Sequence, residues 1–135
     1  MKISTKGRYA LRMMIDIAEN DTKERVTIKE ISERQGISIK YLEQIVQSLT
    51  RAGMLRGERG YGGGYMLTKT PDQYTIGGIL RAIEGNLAPV ACFDSEKNYC
   101  QRSEQCKTLD FWTGLYEVID NYVDSVTLSD FLEQS

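Results

Sequence analysis

Between Thr27 and Leu67 the chain reads TIKEISERQGISIKYLEQIVQSLTRAGMLRGERGYGGGYML. No other stretch limits the available folds as much. Thr27 and Glu30 have the spacing of a capping box: the hydroxyl accepts from a free first-turn amide and the carboxylate reaches back. A short helix from there runs to about Gln35, and Gly36 supplies the left-handed stop. Ser38 can cap a second helix, whose apolar positions Leu42, Ile45, Val46 and Leu49 follow the i, i+3, i+4, i+7 spacing of one face. Gly53 ends it. Two short helices about the turn Gln35-Gly36-Ile37-Ser38 form a helix-turn-helix pattern, although an ordinary helical hairpin has the same local signature.

The next residues separate the two. Met54-Leu55-Arg56 reads as a short strand and Tyr65-Met66-Leu67 as its return, about a run of glycines. A helix-turn-helix followed by a Gly-rich hairpin is a winged helix. Glycines let such a wing turn sharply and approach a partner closely. Arg56, Arg59 and Lys69 place positive charge on or beside it, suited to phosphates or a minor groove. A nucleotide-binding loop fails on spacing. No Gly-Lys-Ser/Thr follows, and a G-x-G-x-x-G begun at Gly60 meets Tyr65 where the third glycine belongs.

Charge divides along the chain. Residues 1–70 carry 13 Lys and Arg against 8 Asp and Glu, net +5, and residues 71–135 carry 4 against 11, net −7. This is the footprint of a polyanion-binding module joined to something else, with chance segregation of surface charge as the plain alternative. The expected division is a DNA-binding domain over 1–70 and a dimerisation region over 71–135. No apolar run is long enough to span a membrane, and MKISTKGRYALRMM lacks the apolar core of a secretion signal. The expected location is the cytoplasm, where structural disulfides are uncommon.

Outside the central block, Thr5–Asn20 carries a helical stripe of Tyr9, Ala10, Met13, Met14, Ile17 and Ala18. Pro71-Asp72 marks a break, and Thr75 can cap a helix bearing Ile76, Ile79, Leu80 and Ile83, stopped by Gly85. From about Asp110 a long helix carries Trp112, Leu115, Val118, Ile119 and Tyr122. This broad apolar face reads as a subunit contact, since paired half-sites increase the affinity and site length of a DNA reader. Thr127 to Asp130 opens a last turn holding Phe131 and Leu132. The expected fold is therefore mainly α: a winged helix-turn-helix with a small β-hairpin wing and a long C-terminal dimerisation helix.

All 3 cysteines fall in CFDSEKNYCQRSEQC, spaced C-x7-C-x5-C, inside a polar loop over 86–108. Thiolates are soft donors suited to iron–sulfur clusters. No Cys-x2-4-Cys pair for structural zinc is present. A metal-free thiol switch, with a disulfide between two cysteines and the third left over, stays open. A thiol enzyme is disfavoured by the absence of Cys-x-x-Cys, of any histidine base and of a nucleotide fingerprint, so the expectation is not an enzyme.

The start MKISTKGRYAL, the block ISERQGISIKYLEQIVQSLTRAGML, the wing RGERGYGGGYML and the three cysteines together resemble the IscR-type iron–sulfur cluster regulators. These belong to the Rrf-type winged-helix transcription factors, and the resemblance covers essentially the whole chain. It implies a homodimeric regulator of double-stranded DNA, with a pseudo-palindromic operator and a [2Fe–2S] cluster on each subunit. The iron–sulfur assembly machinery is the implied further partner. Members of the cysteine-metabolism repressor type lack the cysteines and regulate without a cluster, which keeps a cluster-free, partner-controlled or thiol-controlled repressor as the alternative.

The resemblance also implies site residues. The helix beginning near Ser38 enters the major groove, with Lys40, Tyr41, Glu43, Gln44 and Gln47 on or near its exposed face. Glu43, Gln44 and Arg59 match base-contacting positions. Some relatives have Ser where this chain has Lys40. Ser38 and Tyr61 complete the DNA-binding set. Arg51, Arg56 and Arg59 are phosphate or minor-groove candidates, with Lys2, Lys6 and Arg8 as a basic flank. Cys92, Cys100 and Cys106 are the implied cluster ligands. The family's histidine position is occupied by Leu109, and the chain has no histidine anywhere. Asp110 is therefore the first candidate for fourth ligand, ahead of Asp94, Glu96, Glu104 or a group from the partner subunit.

Overall fold

The helices begin and end where local chemistry directs. In this computed structural model, which describes residues 3–20, 25–58, 63–90 and 106–132, the first helix, α1, is Thr5–Asn20. It buries Ala10, Met13, Met14 and Ile17 along one face, the packing geometry that i, i+3, i+4, i+7 spacing dictates. α2 is Ile28–Gln35. Its capping box forms as expected: Glu30 N donates to Thr27 Oγ1 at 3.1 Å, and Thr27 N donates to Glu30 Oε1 at 3.3 Å. Gly36 ends it at φ 69°, in the left-handed region that costs a side chain most.

α3, Ile39–Arg51, starts with Tyr41 N donating to Ser38 Oγ at 3.2 Å. It buries Leu42, Ile45, Val46 and Leu49. Its end is a Schellman closure, with Met54 N donating to Leu49 O and Gly53 N to Thr50 O, both at 2.9 Å. The chain passes directly into β1, Leu55–Glu58, which pairs antiparallel with β2, Gly64–Leu67. Both strands are longer than the sequence suggested, reaching one or two residues further toward the wing tip. Val26 adds an isolated bridge to Tyr65, with Val26 N donating to Tyr65 O at 2.9 Å and Tyr65 N to Val26 O at 2.8 Å. The returning strand is thus tied to the segment that enters α2. A Cβ at residue 64 would lie 2.7 Å from the Val26 carbonyl oxygen, so this close backbone approach requires Gly64.

A 3-10 turn at Pro71–Gln73 leads to α4, Ile76–Glu84, capped by Thr75 Oγ1, which accepts from Gly78 N at 2.9 Å. α5, Leu109–Ser125, begins one residue before the expected start. α6, Leu128–Leu132, returns the chain to the core through Leu128 N, which donates to Tyr74 O at 2.9 Å. One continuous core joins Met13, Met14, Ile31, Leu42, Ile45 and Leu55 to Tyr74, Ile79, Leu80, Leu87 and Leu128. α5 differs from the others in having no buried residue. It is held to α4 by Arg81, which donates to Asp124 at 2.7 Å and to Asp120 at 2.8 Å. These hydrogen bonds push the Arg81 guanidinium pKa upward, Asp124 contributing most. No helix of the described residues is long and apolar enough to cross a membrane.

Candidate nucleic-acid interface

The exposed face of α3 displays the side chains expected there. Lys40, Glu43, Gln44, Gln47 and Arg51 are all exposed, opposite the buried Leu42, Ile45, Val46 and Leu49. This separation follows from the helical period: four apolar positions take one side, so the intervening polar ones must take the other. Glutamines and a lysine on such a face can bond base edges in a major groove. Glu43 can accept from cytosine N4 and repels misplaced acceptors.

Two expected members have structural duties as well. Ser38 is exposed, but its hydroxyl oxygen is engaged as the helix cap. Tyr41 is half-buried, and its ring meets Tyr9 edge-on at 5.6 Å between centroids. It sits at the border of the face, because a residue one position before the buried Leu42 turns toward α1.

Ile39 was not singled out from sequence and is 46% exposed at the first position of α3. An apolar side chain there can meet a thymine methyl. Helical spacing did not mark it, since Ile39 lies three residues before Leu42 and so continues that apolar stripe, yet at the first position of the helix it stays exposed.

The wing stands beside α3, and an open groove of about 760 Å³ runs between them, lined in part by Val46, Gln47, Arg51, Gly57 and Tyr65. Arg56 is exposed on β1, with Nη2 donating to Met66 Sδ on the paired strand at 3.0 Å. Arg25 lies 3.5 Å from Glu58, an ion pair at the wing that the sequence did not indicate. Arg59 and Tyr61 lie outside the described residues. Of the basic flank, Lys6 Nζ donates to Ser48 Oγ on α3 at 3.0 Å and so braces two helices, whereas Arg8 is exposed and donates to Thr5. Lys2 lies outside the described residues.

One buried phenol holds both feet of the wing. Tyr74 Oη donates to Met54 O at 2.8 Å, just before β1. It accepts from Thr68 N at 2.8 Å and Lys69 N at 3.1 Å, just after β2. Sequence reasoning gave Tyr74 no role. A lone tyrosine between Gln73 and Thr75 carries no period or motif that would have marked it.

Of the cysteine loop, Cys92 and Cys100, with Asp94, Glu96 and Glu104, lie outside the described residues. Cys106 is half-buried just before α5, its Sγ 3.2 Å from Thr108 Oγ1. Asp110 is exposed in the first turn of α5. Among the described residues no group of three or more Cys, Asp or Glu side chains converges as a metal site.

The profile of the Rrf2 family, described as "Iron-dependent Transcriptional regulator", matches residues 3–134. The HTH-type transcriptional regulator IscR of Erwinia tasmaniensis is 36% identical over 132 residues, spanning 98% of this chain and 79% of its own. The solved structure of CymR, the global cysteine regulator of B. subtilis, superposes with a TM-score of 0.81 at 33% identity, over 100% of this chain and 98% of that one. T. potens IscR does so with a TM-score of 0.78 at 36% identity, over 98% and 87%. These relatives are transcriptional regulators and not enzymes. A winged helix with a polar, exposed face on α3, matched along nearly its whole length, belongs to the Rrf2 family of transcriptional regulators.

Proposed function

We propose that the chain is a homodimeric, sequence-specific DNA-binding regulator that senses iron–sulfur status through a [2Fe–2S] cluster. The supporting observation is the gathering of all 3 cysteines into one short segment between α4 and α5. Thiolate donors fit such a cluster, and a loop can bring three of them to one small centre. Cys92, Cys100 and Cys106 would hold it. With no histidine in the chain, Asp110 is the proposed fourth ligand. It is exposed in the first turn of α5, four residues beyond Cys106. A carboxylate is a harder ligand than a thiolate or imidazole and favours exchange, which suits a sensor. The assembly machinery of the cytoplasm would supply the cluster.

Residues 1–70 carry the proposed DNA-reading role and residues 71–135 the dimerisation and sensing role. The exposed Phe111, Val118 and Tyr122 of α5 are 63%, 64% and 69% accessible, a large apolar surface for an isolated helix. A second copy covering this face would place two reading helices on a pseudo-palindrome. Ser38, Lys40, Tyr41, Glu43, Gln44 and Gln47 form the proposed base-reading set. Arg51, Arg56, Arg59 and Tyr61 form the proposed backbone and minor-groove set.

Anaerobic purification or reconstitution, with visible absorption and iron and sulfide assays, tests the cluster. Binding of each form to DNA follows. A coloured protein carrying two irons per chain, as the [2Fe–2S] formula requires, is expected. Asp110→Ala should shift its spectrum or speed its loss, and an unchanged cluster removes Asp110 as ligand.

Similarity to CymR favours a second reading: a cluster-free repressor controlled by a partner or by thiol oxidation. Colourless, iron-free protein that binds DNA under those conditions supports it instead.

A further inference from the structure

We infer that Arg12 of α1 is a positioning residue for DNA recognition, holding the turn between α2 and α3 and so setting the angle at which α3 is presented. This rests on α3 being the reading helix. Arg12 is exposed and far along the sequence from α3, and no motif marks it.

The geometry around it is directed at the turn. Arg12 Nη2 donates to the backbone carbonyl of Gln35, the last residue of α2, and Nε donates to Gln35 Oε1 at 3.2 Å. A carbonyl in the last turn of a helix lacks an intrahelical partner and carries partial negative charge, so a guanidinium there is a cap supplied from another helix. The same Gln35 side chain donates to Asp16 Oδ2 at 2.9 Å. Asp16 is 2% exposed and also binds Arg34, with Nη2 to Oδ1 at 2.7 Å and Nε to Oδ2 at 3.0 Å. A carboxylate so deeply buried is retained where its donors are fixed. The end of α2 is therefore pinned to α1 by two cooperating side chains.

The other side of the turn is pinned as well. The Arg12 guanidinium lies 5.2 Å from the centre of the Tyr9 ring, and Tyr9 meets Tyr41 in the first turn of α3. Lys6 holds Ser48, about two turns further along α3. α1 thus touches the helix-turn-helix before the turn, after it and along α3. A reading helix must be held to within about 0.5 Å and 10–20° for its side chains to reach base edges. Loosening one end of the turn costs base contacts before it costs phosphate contacts, which tolerate displacement.

The test uses full-length protein and a duplex enriched from a random-sequence pool by the wild type, with a scrambled duplex as reference. Arg12→Lys keeps the charge and loses the two-pronged geometry; Arg12→Gln loses both. Both variants should bind the enriched duplex about tenfold more weakly relative to the scrambled one, the size of one good base contact. Their salt dependence should match the wild type, and hydrogen exchange should quicken in residues 35–41 and not elsewhere. Wild-type selectivity in Arg12→Lys overturns the inference, because charge alone then suffices. So does an equal loss on both duplexes with a shallower salt slope in Arg12→Gln, the mark of a phosphate contact. Uniformly faster exchange with unchanged selectivity overturns it too, leaving a merely structural role. Gln44→Ala in parallel separates the two levels: if it leaves selectivity intact while Arg12→Gln destroys it, the reading of α3 fails and the role of Arg12 must lie in another element.

Discussion

Replacing Tyr74 by Phe removes one oxygen and leaves the ring in place. Tyr74 is 3% exposed, so the phenyl ring fills the same space and no cavity forms. What disappears is a hub. The phenol gives its single proton to Met54 O and accepts from the amides of Thr68 and Lys69. The Thr68 hydroxyl, 3.0 Å away, has its own acceptor in Gly53 O at 2.7 Å. Three hydrogen bonds at about 0.5–1.5 kcal/mol each bracket the loss between about 1.5 and 4.5 kcal/mol. Thr68 and Lys69 are exposed, so water reaches part of the vacated site and the lower half of the range applies, about 1.5–3 kcal/mol. For a chain of this length that is a fall in Tm of roughly 10 °C, measured by circular dichroism at fixed protomer concentration. Hydrogen exchange should quicken first in residues 54–58 and 64–69, since both feet of the wing are released together. A Tm within about 2 °C of wild type would refute the reasoning, because it would put the three bonds below about 1 kcal/mol in total. Faster exchange spread evenly over the chain would refute the claim that the phenol acts at the wing.

Other perturbations follow from the same structure. Gly77→Ala inserts a Cβ against the Asp124 carboxylate, 2.8 Å from Val123 Cγ2 and 2.9 Å from Arg81 Nη1. It should destabilise by about 1–3 kcal/mol in urea titration despite alanine's higher helix propensity, and a gain in stability would show that α5 is not packed there. Ser38→Ala should cost about 1 kcal/mol through the lost cap on α3, read as a lower urea midpoint with an unchanged slope. The Glu30 carboxyl is held below its ordinary value of 4.5 by the Thr27 hydroxyl first, with the Thr27 amide and Arg34 adding to it. Its ionised form is therefore the stabilising one. The stability gap between wild type and Glu30→Gln should be present above pH 4.5 and close as pH falls through the depressed value, and a gap that widens in acid would reverse that sign.

Much of the local architecture was legible because its causes are local. Thr27 and Glu30, Ser38 and Thr75 cap helices through bonds that span three residues, and spacing alone reveals such pairs. The stripes of α1, α3 and α4 predict their buried faces because burial follows the helical period. The exposed face of α3 followed for the same reason. Strand limits were less legible. Arg56, Gly57 and Glu58 have no alternating pattern, and pairing with Gly64 to Met66 extends the hairpin through them.

By itself the sequence determined the helices and the polar, exposed face of α3, each a matter of neighbours within a helical turn. Only the tertiary structure decided that Tyr74 clasps the wing, that Val26 pairs with Tyr65 and that Asp16 is buried on Arg34 and Gln35. It also decided that α5 leaves its aromatic side outside the core, whereas α1 buries one whole face. The Tyr74–Met54, Val26–Tyr65 and Asp16 contacts join residues 18 to 39 positions apart. Their partners carry no shared period, and their energies depend on which groups close packing deprives of water.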